Sequence, residues 1–142
     1  AYSYALAQRP SISGRLFEQL SFQTGKYAFE AADQYRLAGR YRDALRQNAL
    51  IGDTAKKLTQ RLIIMTAAER YQQACILAPK IGPPQRANQL SAYLLAHSCF
   101  QAGRVDDAAR YVVRISKGPY AGSAKQLQRA IEQCRQMPHT CP

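Results

Sequence analysis

The stretch YRLAGRYRDALRQNALIG, Tyr35–Gly52, contains the turn that decides the fold. Segments with apolar residues at helical spacing lie on both sides of Gly39. Tyr41 follows this glycine by two residues and Ala44 follows it by five. Glycine has the backbone freedom that a helix end requires. The stretch therefore predicts the corner of a helical hairpin.

The same pattern of eight residues occurs three times along the chain. Each copy has Ala first, Arg third and Ala seventh: AGRYRDAL from Ala38, AERYQQAC from Ala68 and AGRVDDAA from Ala102. The second residues, Gly39, Glu69 and Gly103, are 30 and 34 residues apart. The seventh is expected to be small because the two helices cross closely there, and overpacking a crossing costs about 1–3 kcal/mol. The repeat predicts three helical hairpins.

Helical spacing continues over almost the whole chain, and no segment shows strand alternation. Prolines interrupt it in GPP at 82–84 and in GPY at 118–120, because proline lacks the donor that a helix interior needs. The 142 residues suit one domain. We expect an all-α fold of about eight helices, at 11–23, 26–38, 41–51, 54–67, 70–79, 86–101, 105–116 and 121–136.

The four cysteines divide into two pairs by their setting. Cys75 and Cys99 lie in apolar helical patterns, where free cysteine commonly acts as a small hydrophobic residue. Cys134 and Cys141 bracket RQMPHT at the chain end, where a disulfide would hold the last residues in place. We expect that disulfide, which favours an oxidising compartment.

These repeats resemble the tetratricopeptide repeat (TPR) family. The resemblance covers three units, 26–52, 54–80 and 86–117, with flanking helices at 11–23 and 121–136. It departs from the family pattern where Glu69 replaces the corner glycine and where Cys99 replaces the aromatic residue before the third turn. The family fold implies a right-handed superhelix of antiparallel hairpins over 1–142. It leaves open whether the terminal helices cap the array or associate with another copy of the chain.

In TPR proteins the first helix of each hairpin lines a concave groove that holds a partner peptide or helix. The resemblance thus implies a non-enzymatic protein-interaction scaffold. Tyr93 and Phe100 would be its apolar anchors, and a partner with acidic groups would be attracted by the basic members. The corresponding groove positions are Lys26, Phe29, Asp33, Arg36, Lys56, Thr59, Ile63, Leu90, Tyr93, His97 and Phe100.

A narrower resemblance concerns YRLAGRYRDALRQNALIGDTAKKLTQRL, residues 35–62, and the ending CRQMPHTC. Both are similar to the C-terminal half of bacterial TPR proteins found alongside TonB–ExbB–ExbD energy-transduction systems. This resemblance implies a periplasmic location, with the cytoplasm as the alternative, and a supporting role in TonB-dependent transport. The chain begins with Ala rather than Met, and we expect a processed product or an excised domain.

The alternative function rests on charge. Twenty Lys and Arg against nine Asp and Glu give a net charge of +11, which attracts nucleic acid and anionic surfaces. Four arginines lie close together around the first corner, while Asp33 and Asp43 are near enough in sequence to neutralise part of that strip. We therefore expect a protein partner rather than nucleic acid. The strip consists of Arg36, Arg40, Arg42 and Arg46.

The sequence gives little support to an enzyme or a metal site. His97, Ser98 and Cys99 adjoin one another, but helical neighbours diverge by about 100° and do not face each other. Cys134, His139 and Cys141 are three ligands, whereas a structural zinc site takes four. No phosphate-binding glycine motif occurs, and no apolar run reaches the ~18 residues of a membrane span. We expect no catalytic residue, cofactor or metal.

Overall fold

The computed structural model of the protein describes residues 10–24, 27–83, 86 and 88–142. The regular elements of this part of the chain are all helices and it contains no strand, so the all-α prediction is confirmed. Among the described residues, two short 3-10 helices, Ala78–Lys80 and Pro138–Thr140, accompany eight α-helices. These are α1 (Pro10–Thr24), α2 (Ala28–Leu37), α3 (Tyr41–Asn48), α4 (Thr54–Ala67), α5 (Tyr71–Cys75), α6 (Gln89–Gln101), α7 (Val105–Val112) and α8 (Ala121–Gln136).

Contacts divide the chain into two compact units, Ala1–Ala68 and Glu69–Pro142. In the first unit, α2 packs against α1, α3 and α4. In the second, α6 packs against α5, α7 and α8, and α8 also contacts α7. The antiparallel pairs that the corners predict, α2 with α3 and α6 with α7, are among these contacts.

The three predicted corners share one backbone conformation. Gly39, Glu69 and Gly103 have φ values of 74°, 58° and 80°, in the left-handed region that ends a helix. The following residues, Arg40, Arg70 and Arg104, have φ/ψ of −93°/71°, −88°/65° and −94°/71°. The repeat in the sequence is thus a repeat of local structure.

Hydrogen bonds close the first and third corners identically. Gly39 N donates to Arg36 O at 3.0 Å, and Arg40 N donates to Tyr35 O at 2.9 Å. At the third corner the equivalent bonds run from Gly103 N to Phe100 O and from Arg104 N to Cys99 O, at 3.0 and 2.8 Å. This is the Schellman motif, which satisfies the carbonyls that a helix end leaves free.

The seventh residue of each octet is fully buried: Ala44, Ala74 and Ala108 are all 0% exposed. In the first unit Ala44 belongs to a cluster with Tyr35 and Ile64. A Cβ at Gly14 of α1 would lie 3.0 Å from the Tyr35 ring, so this close approach of α1 to α2 favours glycine. Small residues therefore set the helix spacing at the corner and at the α1–α2 contact.

Two helices end earlier than their apolar spacing predicts. α3 ends at Asn48 rather than 51, and α7 ends at Val112 rather than 116. Leu50 N donates to Gln47 O, and Ile115 N donates to Val112 O, so i→i+3 bonds tighten the chain beyond both ends. The apolar residues after each end continue the spacing without continuing the helix. Other boundaries also shift: α2 begins at Ala28 and α5 ends at Cys75. α6 begins at Gln89, and the side chain of its N-cap Asn88 accepts hydrogen bonds from Leu90 N and Ser91 N.

All four cysteines are paired in disulfides. Cys134 joins Cys141, with Cα atoms 4.7 Å apart, and links the end of α8 to the last residues. Cys75 joins Cys99, with Cα atoms 4.8 Å apart, and links α5 to α6. The interpretation of Cys75 and Cys99 as free hydrophobic residues is therefore wrong. The packing of α5 on α6 brings together two positions that are 24 residues apart in sequence.

Candidate functional site

In the first unit, the predicted groove residues lie on α2 and α4. Lys56 Nζ lies 4.3 Å from the centroid of the Phe29 ring, a cation–π contact between the two helices. Asp33 pairs with Arg36 at 2.7 Å, and Thr59 donates to the Ala55 carbonyl. Ile63 and Thr59 are half-buried, and Lys26 lies outside the described residues. Of the predicted groove residues on different helices of this unit, Phe29 and Lys56 are therefore brought into contact.

A buried amide pair fixes the α2–α4 contact. Gln60, 2% exposed, donates from Nε2 to the Phe29 carbonyl at 2.9 Å. Asn48 of α3 donates to Gln60 Oε1 at 3.1 Å and to the Lys57 carbonyl at 2.9 Å. Because unpaired buried amides are costly, this pairing favours one arrangement of the three helices. It holds the backbone of Phe29 beside α4.

In the second unit, four rings form a row that we call the aromatic ladder: Tyr71, His97, Tyr93 and Tyr120. The ring centroids of successive members are 5.4, 6.1 and 5.9 Å apart. Tyr93 is nearly parallel to both neighbours, with interplanar angles of 20° to His97 and 19° to Tyr120. All four side chains are half-buried, so the ladder is accessible along its length.

Three elements supply the ladder. Tyr93 and His97 are four residues apart on α6 and therefore share one helix face. Tyr71 is the first residue of α5, and Tyr120 directly precedes α8. The sequence predicted the α6 pair, whereas Tyr71 and Tyr120 were missed because their place depends on tertiary packing. The GPY break that contains Tyr120 was the only signal for that residue.

Two other predicted groove residues lie on α6. Leu90 is half-buried, one helical turn before Tyr93. Phe100 is only 7% exposed and belongs to the core, so little of its ring is open to a partner. Its carbonyl accepts the corner bond from Gly103, which places it in the final turn where the hairpin closes.

His97 differs electrostatically from an exposed histidine. Burial lowers the pKa of His97 below the usual 6.5, because a half-buried imidazolium loses hydration. The neutral ring is thus favoured near pH 7. The hydroxyls of Tyr71, Tyr93 and Tyr120 have no hydrogen-bond partner in the part of the chain that the structure describes. The ladder therefore presents uncharged polar tips on apolar rings.

Ion pairs occupy most of the predicted arginine strip in the first unit. Arg40 pairs with Asp43 at 2.6 Å, and Arg46 pairs with Glu18 at 2.9 Å. Arg36 is paired with Asp33, as described above. Arg42 is exposed and has no ion pair with a described residue. The strip is therefore less positive than its four arginines indicate.

Described residues of the second unit line at least two open cavities. One of about 500 Å³ adjoins the ladder and is lined by Glu69, Arg70, Tyr71 and neighbouring glutamines. Another of about 330 Å³ lies between the end of α5 and α7, where Arg104 and Arg110 flank Asp107. Asp107 contacts these arginines at 3.0 and 3.8 Å. Charged or polar side chains thus line part of each opening.

Within the described ranges, no three His, Cys, Asp or Glu side chains are grouped so that they could hold a metal ion. None of the described helices is both long and apolar enough to cross a membrane. Comparison with known proteins finds no match: no family model, curated protein or solved structure matches the chain.

Proposed function

We propose that the protein is a TPR-like, non-enzymatic interaction module that binds a peptide or helix of a partner protein. The aromatic ladder of the second unit is the observation that carries this proposal. Aromatic side chains dominate the energetics of protein interfaces, and tyrosine combines an apolar ring with a polar tip. Four accessible rings in one row are more than a solvated surface needs.

The shared corner conformation supports the repeat architecture within the proposal. Gly39, Glu69 and Gly103 take the same backbone form at a spacing close to that of TPR units. We further propose that the hairpins stack as a right-handed superhelix. In such arrays the stacked repeats present an extended concave binding surface.

A nucleic-acid partner is less well supported by the same surfaces. Proteins that bind single strands offer free aromatic faces for stacked bases beside basic residues. Tyr93 instead stacks with both His97 and Tyr120, so the ladder offers ring edges and polar tips. Three arginines of the basic strip are paired with carboxylates. Both features favour a protein partner.

We place this function in the periplasm, in support of TonB-linked transport as the narrower resemblance implies. Two disulfides support an oxidising compartment, because reducing conditions keep cytosolic thiols free.

Site-specific photocrosslinking in the native source tests the proposal. A benzophenone amino acid at Leu90, beside the ladder, is expected to give a covalent adduct with a defined protein. Tyr93→Ala in the same chain is expected to abolish that adduct. The same crosslinker at the exposed Glu132 of α8 is the matched control and is expected to give none. Nuclease-sensitive adducts, or a protein adduct that survives Tyr93→Ala, would contradict the proposal.

A further inference from the structure

The spacing of the aromatic ladder fits an extended, left-handed peptide. Each step between ring centroids is 5.4–6.1 Å. Polyproline II rises 3.1 Å per residue, so two of its residues cover about 6 Å. A segment of roughly six residues would follow the ladder from Tyr71 to Tyr120. Grooves lined by aromatic side chains are the surfaces on which proline-rich segments dock.

The polar tips of the ladder fit the same peptide. A polyproline II segment makes no internal hydrogen bonds, so its carbonyl oxygens need donors. The hydroxyls of Tyr71, Tyr93 and Tyr120 are donors without a partner among the described residues. A partner helix satisfies its own carbonyls and would leave these hydroxyls unused. The chemistry therefore favours the extended peptide.

The charge of the second unit indicates which other residues a proline-rich partner segment would carry. No residue of α6, Gln89–Gln101, is charged, so the ladder's central element repels neither sign. Residues 69–142 contain ten Lys or Arg and four Asp or Glu. Asp106 and Asp107 are already paired with Arg135 and Arg104, at 2.8 and 3.0 Å. The second unit thus has a positive field that attracts acidic side chains.

We propose that the aromatic ladder binds a proline-rich segment of a partner protein, in polyproline II conformation, that carries acidic residues between its prolines. This inference rests on the proposed function and names the partner's chemistry. Prolines would pack against ring edges, and tyrosine hydroxyls would donate to the peptide carbonyls. The positive field of the second unit would attract these acidic residues and would repel basic residues at the same positions.

Fluorescence anisotropy on the full chain tests this inference with labelled peptides of about twelve residues, long enough to exceed the ladder. A Glu-Pro repeat is expected to bind. Glu-Ala and Lys-Pro repeats of equal length are expected to have at least about tenfold lower affinity. The Glu-Ala repeat loses the polyproline II conformation and keeps the negative charge. The Lys-Pro repeat keeps that conformation and carries positive charge instead. Equal binding of Glu-Ala and Glu-Pro would overturn the inference.

Variants of the ladder localise the binding. Tyr93→Ala and Tyr120→Ala are each expected to weaken Glu-Pro binding about tenfold, and Tyr93→Phe about threefold through loss of one hydroxyl. Leu94→Ala, at a half-buried position on the same helix, is the matched control and is expected to leave the affinity for Glu-Pro unchanged. Thermal melting checks that each variant is folded. If Tyr93→Ala does not fold, Tyr120→Ala, which lies outside the helix interior, tests the contribution of the ladder instead.

The remaining outcomes separate this inference from the proposed function. A Tyr93-dependent protein adduct at Leu90 without Glu-Pro binding would keep the interaction module and overturn the peptide class. Binding of a labelled oligonucleotide or oligosaccharide that Tyr93→Ala abolishes, with no peptide binding, would overturn both.

Discussion

The hydroxyl of Tyr35 donates a hydrogen bond to the Glu18 carboxylate and so joins α2 to α1 in the first unit. Arg46 of α3 pairs with the same carboxylate at 2.9 Å. Glu18 therefore links three helices through one side chain. Burial, followed by the bond and the charge of Glu18, raises the pKa of Tyr35 from 10.0 to about 12.

This pKa predicts a loss of stability at alkaline pH. The folded pKa lies above the unfolded value, so folding favours the protonated phenol. The contribution is complete below pH 10 and is lost as pH rises from about 10 through 12. Melting temperature measured across this window, with tyrosinate absorbance, is expected to fall in the wild type. Tyr35→Phe is expected to lower the free energy of unfolding by about 1.5 kcal/mol at neutral pH and to reduce the fall in melting temperature above pH 10. If the melting temperature of the variant falls as steeply as that of the wild type, another group causes the alkaline effect.

The second corner offers a stabilising substitution. Glu69 has φ 58°, and left-handed backbone costs an ordinary residue roughly 1 kcal/mol, whereas glycine adopts it freely. Glu69→Gly is expected to raise the free energy of unfolding by about 1 kcal/mol in urea denaturation. Gly103→Glu, which places a non-glycine residue in the left-handed backbone of the third corner, is the matched control. It is expected to lower the free energy of unfolding by a similar amount. Destabilisation by Glu69→Gly would mean that the glutamate side chain makes a contribution larger than its backbone cost.

Sequence alone predicted the corners well because few residue types suit a left-handed turn beside a close helix crossing. The octet even identified Glu69, since Ala68, Arg70 and Ala74 repeat around it. Within the ladder, the spacing of Tyr93 and His97 was sufficient, because both lie on one helix. Features formed between elements were not predictable in this way.

The Cys75–Cys99 disulfide illustrates the difference. Cys75 is the last residue of the second octet, and Cys99 lies four residues before the third corner. Each looked like an apolar helix position because each is buried, at 3% and 0% exposure. Their pairing depends on the contact of α5 with α6, which helical periodicity does not reveal. The same limit explains the missed Tyr71.

The crossing at Ala44 predicts sensitivity to side-chain volume. Ala44 is packed with Tyr35 and Ile64 and has no exposed surface. Ala44→Leu is expected to destabilise the first unit by about 1–3 kcal/mol in urea denaturation, because added methylenes would force α2 and α3 apart. Ala67→Leu, at an exposed position on α4, is the control and is expected to change stability by less than about 0.5 kcal/mol. Equal effects of the two substitutions would place Ala44 outside a tight crossing.

His97 predicts an acid-sensitive second unit. Burial lowers the pKa of His97, so its folded pKa lies below the unfolded value of 6.5. The stability that it contributes is present above pH 6.5 and is lost as pH falls through the folded pKa. Titration of its ring protons by NMR is expected to give a midpoint below 6.5. His97→Asn is expected to reduce the acid-induced fall in melting temperature, and a His97 midpoint at or above 6.5 would contradict this account.

The two disulfides predict the number of free thiols before and after reduction. They also predict that each pair contributes a different amount to the free energy of unfolding. Denatured, unreduced protein is expected to contain no free thiols, and four after reduction. In the chain-entropy model, closing the 24-residue separation of Cys75 and Cys99 contributes about 3.5 kcal/mol, against about 2.5 kcal/mol for the 7-residue separation of Cys134 and Cys141. The double alanine variant of the first pair is thus expected to lower the unfolding free energy more than that of the second. Four free thiols before reduction would remove the structural support for an oxidising compartment, and two would show that only one of the disulfides forms.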